Sequence, residues 1–386
     1  MYDLLAGLTI IEASSFVASP SAGLYLAQMG AEVIRVDQTG GGPDFNRWPL
    51  APGGGSLYWE NLNRGKKSVS LDLASAEERE TLQKLVASAG ILLTNFPAEG
   101  FLSHQTLAAL RPDLITVRIM GTAAGGPALD YTVNAAIGLP TMTGPAELGE
   151  RPVNHILPAW DLLTGAYAAF ALLAALRHRD ATREGQEVRI PLQDVATATV
   201  ANLGMLAEAT IAGADRPRLG NDVFGAFGRD FETADGVRVM IMAITPRQWT
   251  GLVKVLDIAT EIDVIQARHS VSFARDEGLR FVHRDELYPL VETKVRTWQW
   301  ADLDAAFAAA GCCYGRYRTL TDAARDPELV AANPLFETIA NPSGETYPAA
   351  GSFATIPGHA RRAVPGAPAL GADTEAVLRR FMGDNA

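Results

Sequence analysis

The feature that most limits the fold is an alternation, from Leu8 to Ile119, of short aliphatic runs with stretches of helical period. Leu8 to Glu12 reads as a buried strand, Ser19-Pro20 as an N-cap and first-turn proline opening a helix to about Met29, and Glu32 to Asp37 as a second strand. Strand Ser68 to Leu73, helix Ala76 to Ala89, strand Ile91 to Asn95, helix Leu107 to Leu110 and strand Leu114 to Ile119 continue the series. Strands joined through helices cross over, so they run parallel, and the sheet needs helical cover on both faces. The expected class is α/β: a Rossmann-like open parallel sheet that binds ligands outside the carboxyl ends of its strands.

The texture changes near Gly220. Phe227 to Thr233 and Val237 to Ile244 flank Asp235-Gly236, a hairpin turn signal, and Thr245-Pro246 caps a helix bearing Trp249. Alanine-rich helical sequence follows through Gly311, and from about Leu335 the chain turns to proline, glycine and short strands before a last helix at Asp373 to Met382. The chain of 386 residues is long enough for two to three domains at about 150 residues each. The expected layout is a large α/β domain from residues 1–200 completed by 330–386, a smaller α+β domain at 222–311, and linkers between.

The net charge of −11, without a basic stripe, argues against a nucleic-acid partner. The longest apolar stretch, Gly165 to Leu176, reads as a buried helix, too short for a membrane span of about 18 residues. The start lacks the basic flank of a secretory signal, and the only cysteines, Cys312 and Cys313, are adjacent and unsuited to pairing. A reducing, cytoplasmic setting is the expectation.

Several residues carry chemistry. The loop Ala13 to Ser19 lacks the G-x-G-x-x-G fingerprint, and Phe16 blocks the close approach of a pyrophosphate, so nicotinamide binding is disfavoured although Asp37 ends the second strand. Asp161, in His155-Ile-Leu-Pro-Ala-Trp-Asp161, precedes an apolar helix: it is either a simple N-cap or a carboxylate that the helix N-terminus keeps ionised for attack. Asn63-Arg-Gly-Lys-Lys67 packs three cations into one turn, either a solvated turn or a phosphate site, with Arg35 and Arg47 as further candidates. Asn95-Phe96 ends a strand and enters a loop. His104, His155 and His178 share no metal-like spacing, so no metal is expected, and neither a G-x-S-x-G elbow nor a Walker loop is present.

Together Leu5-Ala-Gly-Leu-Thr-Ile-Ile-Glu12, Gly30 to Asp37, Asn63 to Leu73, Asn95-Phe96, Trp160-Asp161 with its helix and Glu184 to Val188 resemble the class III CoA-transferase family, also called the carnitine/bile-acid CoA-transferase family, over essentially the whole chain. The resemblance implies that Asp161 attacks an acyl-CoA thioester and carries the acyl group as a mixed anhydride. It implies an interlocked homodimer, coenzyme A as part of the substrate, and CoA contacts from Ser15, Phe16, Val17, Ala18, Arg35, Lys67, Leu71, Asn95 and Phe96. Arg47, Trp48, Asp130, Phe227 and Arg229 are the corresponding expectations for a pocket around a small dicarboxylic acid. Leu129 stands where racemases of this family have a histidine, which disfavours racemisation. Gln38 replaces a basic residue, and a glycine-rich shielding loop is not evident. A narrower likeness through Asp44 to Pro49, Asp130 to Asn134, Leu139 to Pro145 and Gly225 to Thr233 implies transfer of CoA between the two carboxyls of one C5 unsaturated diacid, as in mesaconyl-CoA. Transfer from succinyl-CoA to another acid, or acyl-CoA binding without chemistry, are the alternatives.

Overall fold

In a computed structural model, which describes residues 1–383, the chain forms two compact units. The first comprises Met1–Gly138, Asn154–Ile211 and Arg325–Ala386, the second Leu139–Val153 and Ala212–Ala324. The second therefore begins before, and runs beyond, the 222–311 segment expected as the smaller domain.

Six parallel strands organise the first unit: β1 (Thr9–Ala13), β2 (Glu32–Gln38), β3 (Lys67–Leu71), β4 (Ile91–Thr94), β5 (Ile115–Met120) and β6 (Gln186–Pro191). Their order is β3-β2-β1-β4-β5-β6, so the direction of winding reverses between β1 and β4. Ligands bind such sheets at that switch point. The central strands are buried on both faces, which explains why they read as continuous aliphatic runs. Side-chain alternation divides the core. Ile10, Val33, Leu93 and Val117 pack against helices α1 (Ala18–Gln28) and, later in the chain, the long Ala159–Thr182 helix. Ile11, Ile34 and Leu92 face α2 (Ala76–Ala89) and a C-terminal helix over Thr374–Met382. A short α3 (Asp130–Ala136) precedes the long helix, labelled α4.

Three features differ from the sequence expectations. Ser19 does not cap α1: the helix already begins at Ala18, and the Ser19 side chain is fully buried, its hydroxyl without a hydrogen-bond partner among the described residues. The strand β6, beside β5, carries no clear strand signal, because Gln186–Pro191 mixes polar and apolar residues at the edge of the sheet. Helix α4 is not simply buried, and it is long and apolar enough to cross a membrane by length and composition. Ala168, Leu172 and Ala175 belong to the core, whereas Leu163, Tyr167, Phe170 and Leu173 are exposed on the single chain. Gly165 lets α4 approach α1 closely, since a Cβ there would sit 2.6 Å from the Ala18 carbonyl oxygen.

In the second unit β7 (Phe227–Glu232), β8 (Arg238–Ala243) and β9 (Cys313–Arg316) form an antiparallel sheet. Helices α5 (Pro246–Val255), α6 (Ala259–His269) and α7 (Arg284–Val295) surround a core of Phe227, Ile241, Trp249, Ile262 and Val291. Thr245 caps α5 as expected, in a reciprocal capping box with Gln248.

Candidate active site

The loops leaving β1, β4 and β5 enclose a cavity of about 530 Å³ whose wall includes Ser15, Phe16, Asn95, Leu129, Asp161 and Arg189. It lies at the carboxyl ends of the strands, on the switch between β1 and β4.

Phe16 adopts φ 70°, the left-handed region, which strains a bulky L residue by about 1–3 kcal/mol. Two neighbours hold it there. The Phe16 N–H donates to Asp44 Oδ2 at 3.0 Å. Asn95, just past β4, accepts from Ser15 N at 3.2 Å and donates through Nδ2 to the Ser15 carbonyl at 3.0 Å. Asp44 is fixed in turn by Arg35, whose guanidinium also grips Asp37 at 2.8 Å. Lys66 Nζ lies 2.8 Å from Glu12 Oε2 in the same buried network.

That network corrects the phosphate assignments. Arg35 is 1% exposed and committed to three carboxylates, so it presents no face to a ligand. Lys66 is also buried, and Arg64 is spent on Asn61 and the Ala350 carbonyl. Lys67 remains at the surface, paired with Glu32 at 2.8 Å and apart from the cavity wall. Leu71 packs in the core. A cation that does line the cavity is Arg189 on β6, half-exposed beside Glu187, a residue concealed in the sequence by the weak signal of its strand.

Asp161 is the third residue of α4 and does not cap it: Pro158 occupies the N-cap position and has no side-chain oxygen to offer. The cap comes from Asp130, whose Oδ2 accepts from the N–H groups of Trp160 at 2.7 Å and Asp161 at 3.1 Å. The other Asp130 oxygen lies 2.7 Å from His155 Nε2. Trp160 Nε1 donates to Asn134 Oδ1 at 3.1 Å, so α3 braces the first turn of α4 at two points. Metal spacing gives His155 no role in the sequence, because its carboxylate partner lies 25 residues earlier.

The electrostatics also differ from expectation. Burial, then the negative charge of Asp130, raise the Asp161 carboxyl to about 6, while Arg47 pulls it partly back. The helix N-terminus therefore does not keep Asp161 strongly acidic. Arg47 lies over the rings of Phe16 and Tyr58, 5.6 and 5.5 Å from their centroids. The buried Tyr58 hydroxyl has no hydrogen-bond partner among the described residues, and it is held above the usual tyrosine range by burial and by the charges of Asp44 and Asp161. Val17 and Ala18, at the start of α1, and Phe96 also line the cavity. Trp48 is 77% exposed. Phe227 is no pocket wall: it is wholly buried among Phe231, Trp249 and Tyr288 of the second unit. Arg229 lies in that unit too, 3.8 Å from Asp222 and over Tyr288. The loop Gly121 to Leu129 lines the cavity with Gly121, Gly125 and Gly126, although no glycine-rich loop is evident from the sequence alone; Gly121 is required there, because a Cβ would meet the Ala128 nitrogen at 2.4 Å.

An open α/β sheet with a carboxylate at a helix start beside its switch-point cavity offers a nucleophile at a ligand site. The model of CoA-transferase family III matches residues 5–374, and the chain belongs to that family. It is 43% identical to 2-methylfumaryl-CoA isomerase of Chloroflexus aurantiacus over 99% of this chain and 95% of that protein. It is 30% identical to succinate–glutarate CoA-transferase of Agrobacterium fabrum, over 85% of this chain and 83% of that one. Among solved structures, a CAIB/BAIF family protein from Brucella suis superposes with a TM-score of 0.79 at 24% identity, over 99% of this chain and 100% of that one, a likeness of fold.

Proposed function

We propose that this enzyme moves CoA between the C1 and C4 carboxyls of mesaconyl-CoA, with Asp161 as the covalent carrier. The observation that carries the reading is the Asp161 carboxylate on the wall of the switch-point cavity, in a chain 43% identical over its length to an isomerase of 2-methylfumaryl-CoA, the same compound.

The chemistry balances without an added proton or oxidant. Asp161 attacks the C1 thioester carbonyl, the C–S bond breaks, and CoA leaves as thiolate while the acyl group stays as a mixed anhydride. The trans double bond keeps the C4 carboxylate away from that anhydride, so a direct exchange within it fails. Thiolate instead attacks the aspartyl carbonyl and frees the diacid, which turns end for end and attacks the aspartyl thioester through C4. The expelled thiolate then takes the C4 acyl group and restores Asp161. Arg47, whose charge reaches Asp161, would pair with the idle carboxylate. Retaining both fragments replaces bimolecular steps with intramolecular ones, worth up to about 7–11 kcal/mol. Arg189 is the candidate for CoA phosphate contact. A second copy covering the apolar face of α4 would supply the expected homodimer.

The test mixes unlabelled mesaconyl-C1-CoA with excess carbon-13 mesaconate and weighs the C4-CoA product. Product nearly free of label supports internal transfer. Label matching the free acid pool overturns it in favour of transfer between separate acids, and absence of any C4 product overturns both.

A further inference from the structure

Apart from the cavity, the second unit gathers three side chains whose chemistry the reaction does not use. His269 ends α6, where Ser270 turns the chain at φ 55°. His283 joins a short helix over Glu277–Val282 to α7, and Glu286 sits in the first turn of α7, so His283 and Glu286 share a face at a spacing of three. The two imidazole rings lie 4.2 Å apart, and His269 Nε2 is 2.5 Å from Glu286 Oε1. One ligand atom from each of the three residues lies within 4.8 Å of the others.

We propose that His269, His283 and Glu286 form a transition-metal site that takes Zn²⁺ and ties the end of α6 to the start of α7. Two imidazoles and a carboxylate are borderline donors, suited to Zn²⁺ and not to Mg²⁺ or Ca²⁺, which call for oxygen ligands. Tetrahedral bonds of about 2.0–2.2 Å set donor atoms about 3.3 Å apart, so entry of the metal opens the 2.5 Å His269–Glu286 hydrogen bond by under ~1 Å while His283 closes in, and a water completes four-coordination. The frame is already set. Ile262 and Ile265 anchor α6, and Leu287 and Val291 anchor α7, in one core. The His283 ring packs edge-on against the fully buried Phe273 at 5.8 Å. Arg268 holds Glu286 Oε2 at 2.5 Å, an outer contact of the kind that orients a ligating carboxylate, and the metal would take Oε1 in place of its present contact with His269.

An ordinary surface ion cluster is the rival account, since exposed pairs of this kind contribute at most about 1 kcal/mol and need no ligand. Geometry separates the two: an ion pair needs one cation beside the carboxylate, whereas here two imidazoles with ring centroids 4.2 Å apart converge on it, with a donor atom from each of the three residues within 4.8 Å of the others.

The experiment titrates the chelator-stripped full-length protein with Zn²⁺ by calorimetry, with Mg²⁺ as control, and uses Co²⁺ absorption to report coordination. Expected are about one Zn²⁺ per chain at this site, proton release, a rise in the unfolding temperature and no Mg²⁺ binding. His269→Gln and His283→Gln should each weaken Zn²⁺ binding about tenfold or more while leaving circular dichroism and the metal-free unfolding temperature nearly unchanged. Absence of Zn²⁺ binding overturns the proposal. So does binding that survives both substitutions together, or that disappears with Cys312→Ser and Cys313→Ser instead.

Discussion

In the proposed role, the Asp161 carboxylate has to shed water and remain charged, and the two demands oppose each other. Its carboxyl is raised from 3.8 to about 6, chiefly by burial. The folded state then binds its proton more tightly than the unfolded chain does, so stability from this group is full below pH 3.8 and is lost as pH rises through about 6. At about 1.4 kcal/mol for each tenfold change in proton affinity, the difference amounts to about 3 kcal/mol. Asp161→Asn is therefore expected to abolish transfer by roughly a thousandfold or more and to resist urea better than wild type above pH 6, by up to about 3 kcal/mol, with the gap closing toward pH 4. Equal unfolding midpoints at high pH would contradict the account. Asp130→Asn keeps an oxygen for the two helix N–H groups but removes the charge facing Asp161. The acid limb of the kcat/KM profile, set by ionisation of Asp161, should move to lower pH in that variant; an unmoved limb would assign it to another group. The position of Asp161 at the start of an apolar helix is legible in the sequence, but local pattern alone leaves it either a cap or a nucleophile, and the proposed role rests on the family resemblance. The part played by Asp130 is hidden there, since its partners lie 25 to 31 residues further on and only the fold brings them together.

Among the elements, the cap at Thr245 is legible in local sequence, and it caps α5 as read. Ser19 misleads because the same residue pattern, serine before proline, sits inside a helix that tertiary packing starts earlier. What no local signal carries is the closeness of α1 and α4. Gly165→Ala would drive a methyl toward the Ala18 carbonyl and the Ser21 hydroxyl, and overpacking of this kind costs about 1–3 kcal/mol. Because Ala18 also lines the cavity, KM for acyl-CoA should rise together with the fall in denaturation midpoint. A change in stability with KM untouched would separate the helix contact from the site.

For the molecule as a whole, alternation of strands and helices is enough to read an open parallel sheet, while the edge strand β6 and the true limits of the second unit depend on pairings between distant segments. The apolar helix α4 reads as buried because hydrophobicity alone cannot say what covers a face. Tyr167 and Phe170 remain 51% and 64% exposed on one chain. If a second copy covers them, Tyr167→Glu combined with Phe170→Glu should shift sedimentation from a dimer toward a monomer or leave the chains insoluble. A fully folded dimer in that variant would place the contact elsewhere.

The strained turn at Phe16 has a bearing on turnover. Clamped by Asp44 on one side and Asn95 on the other, the turn surrenders its conformational entropy once, when the chain folds, and not again with each arriving substrate. A site of this kind is shaped in advance, and the buried ions carried on β1 and β2 contribute to it by holding Asp44, and through Asp44 the turn, without reaching the cavity themselves.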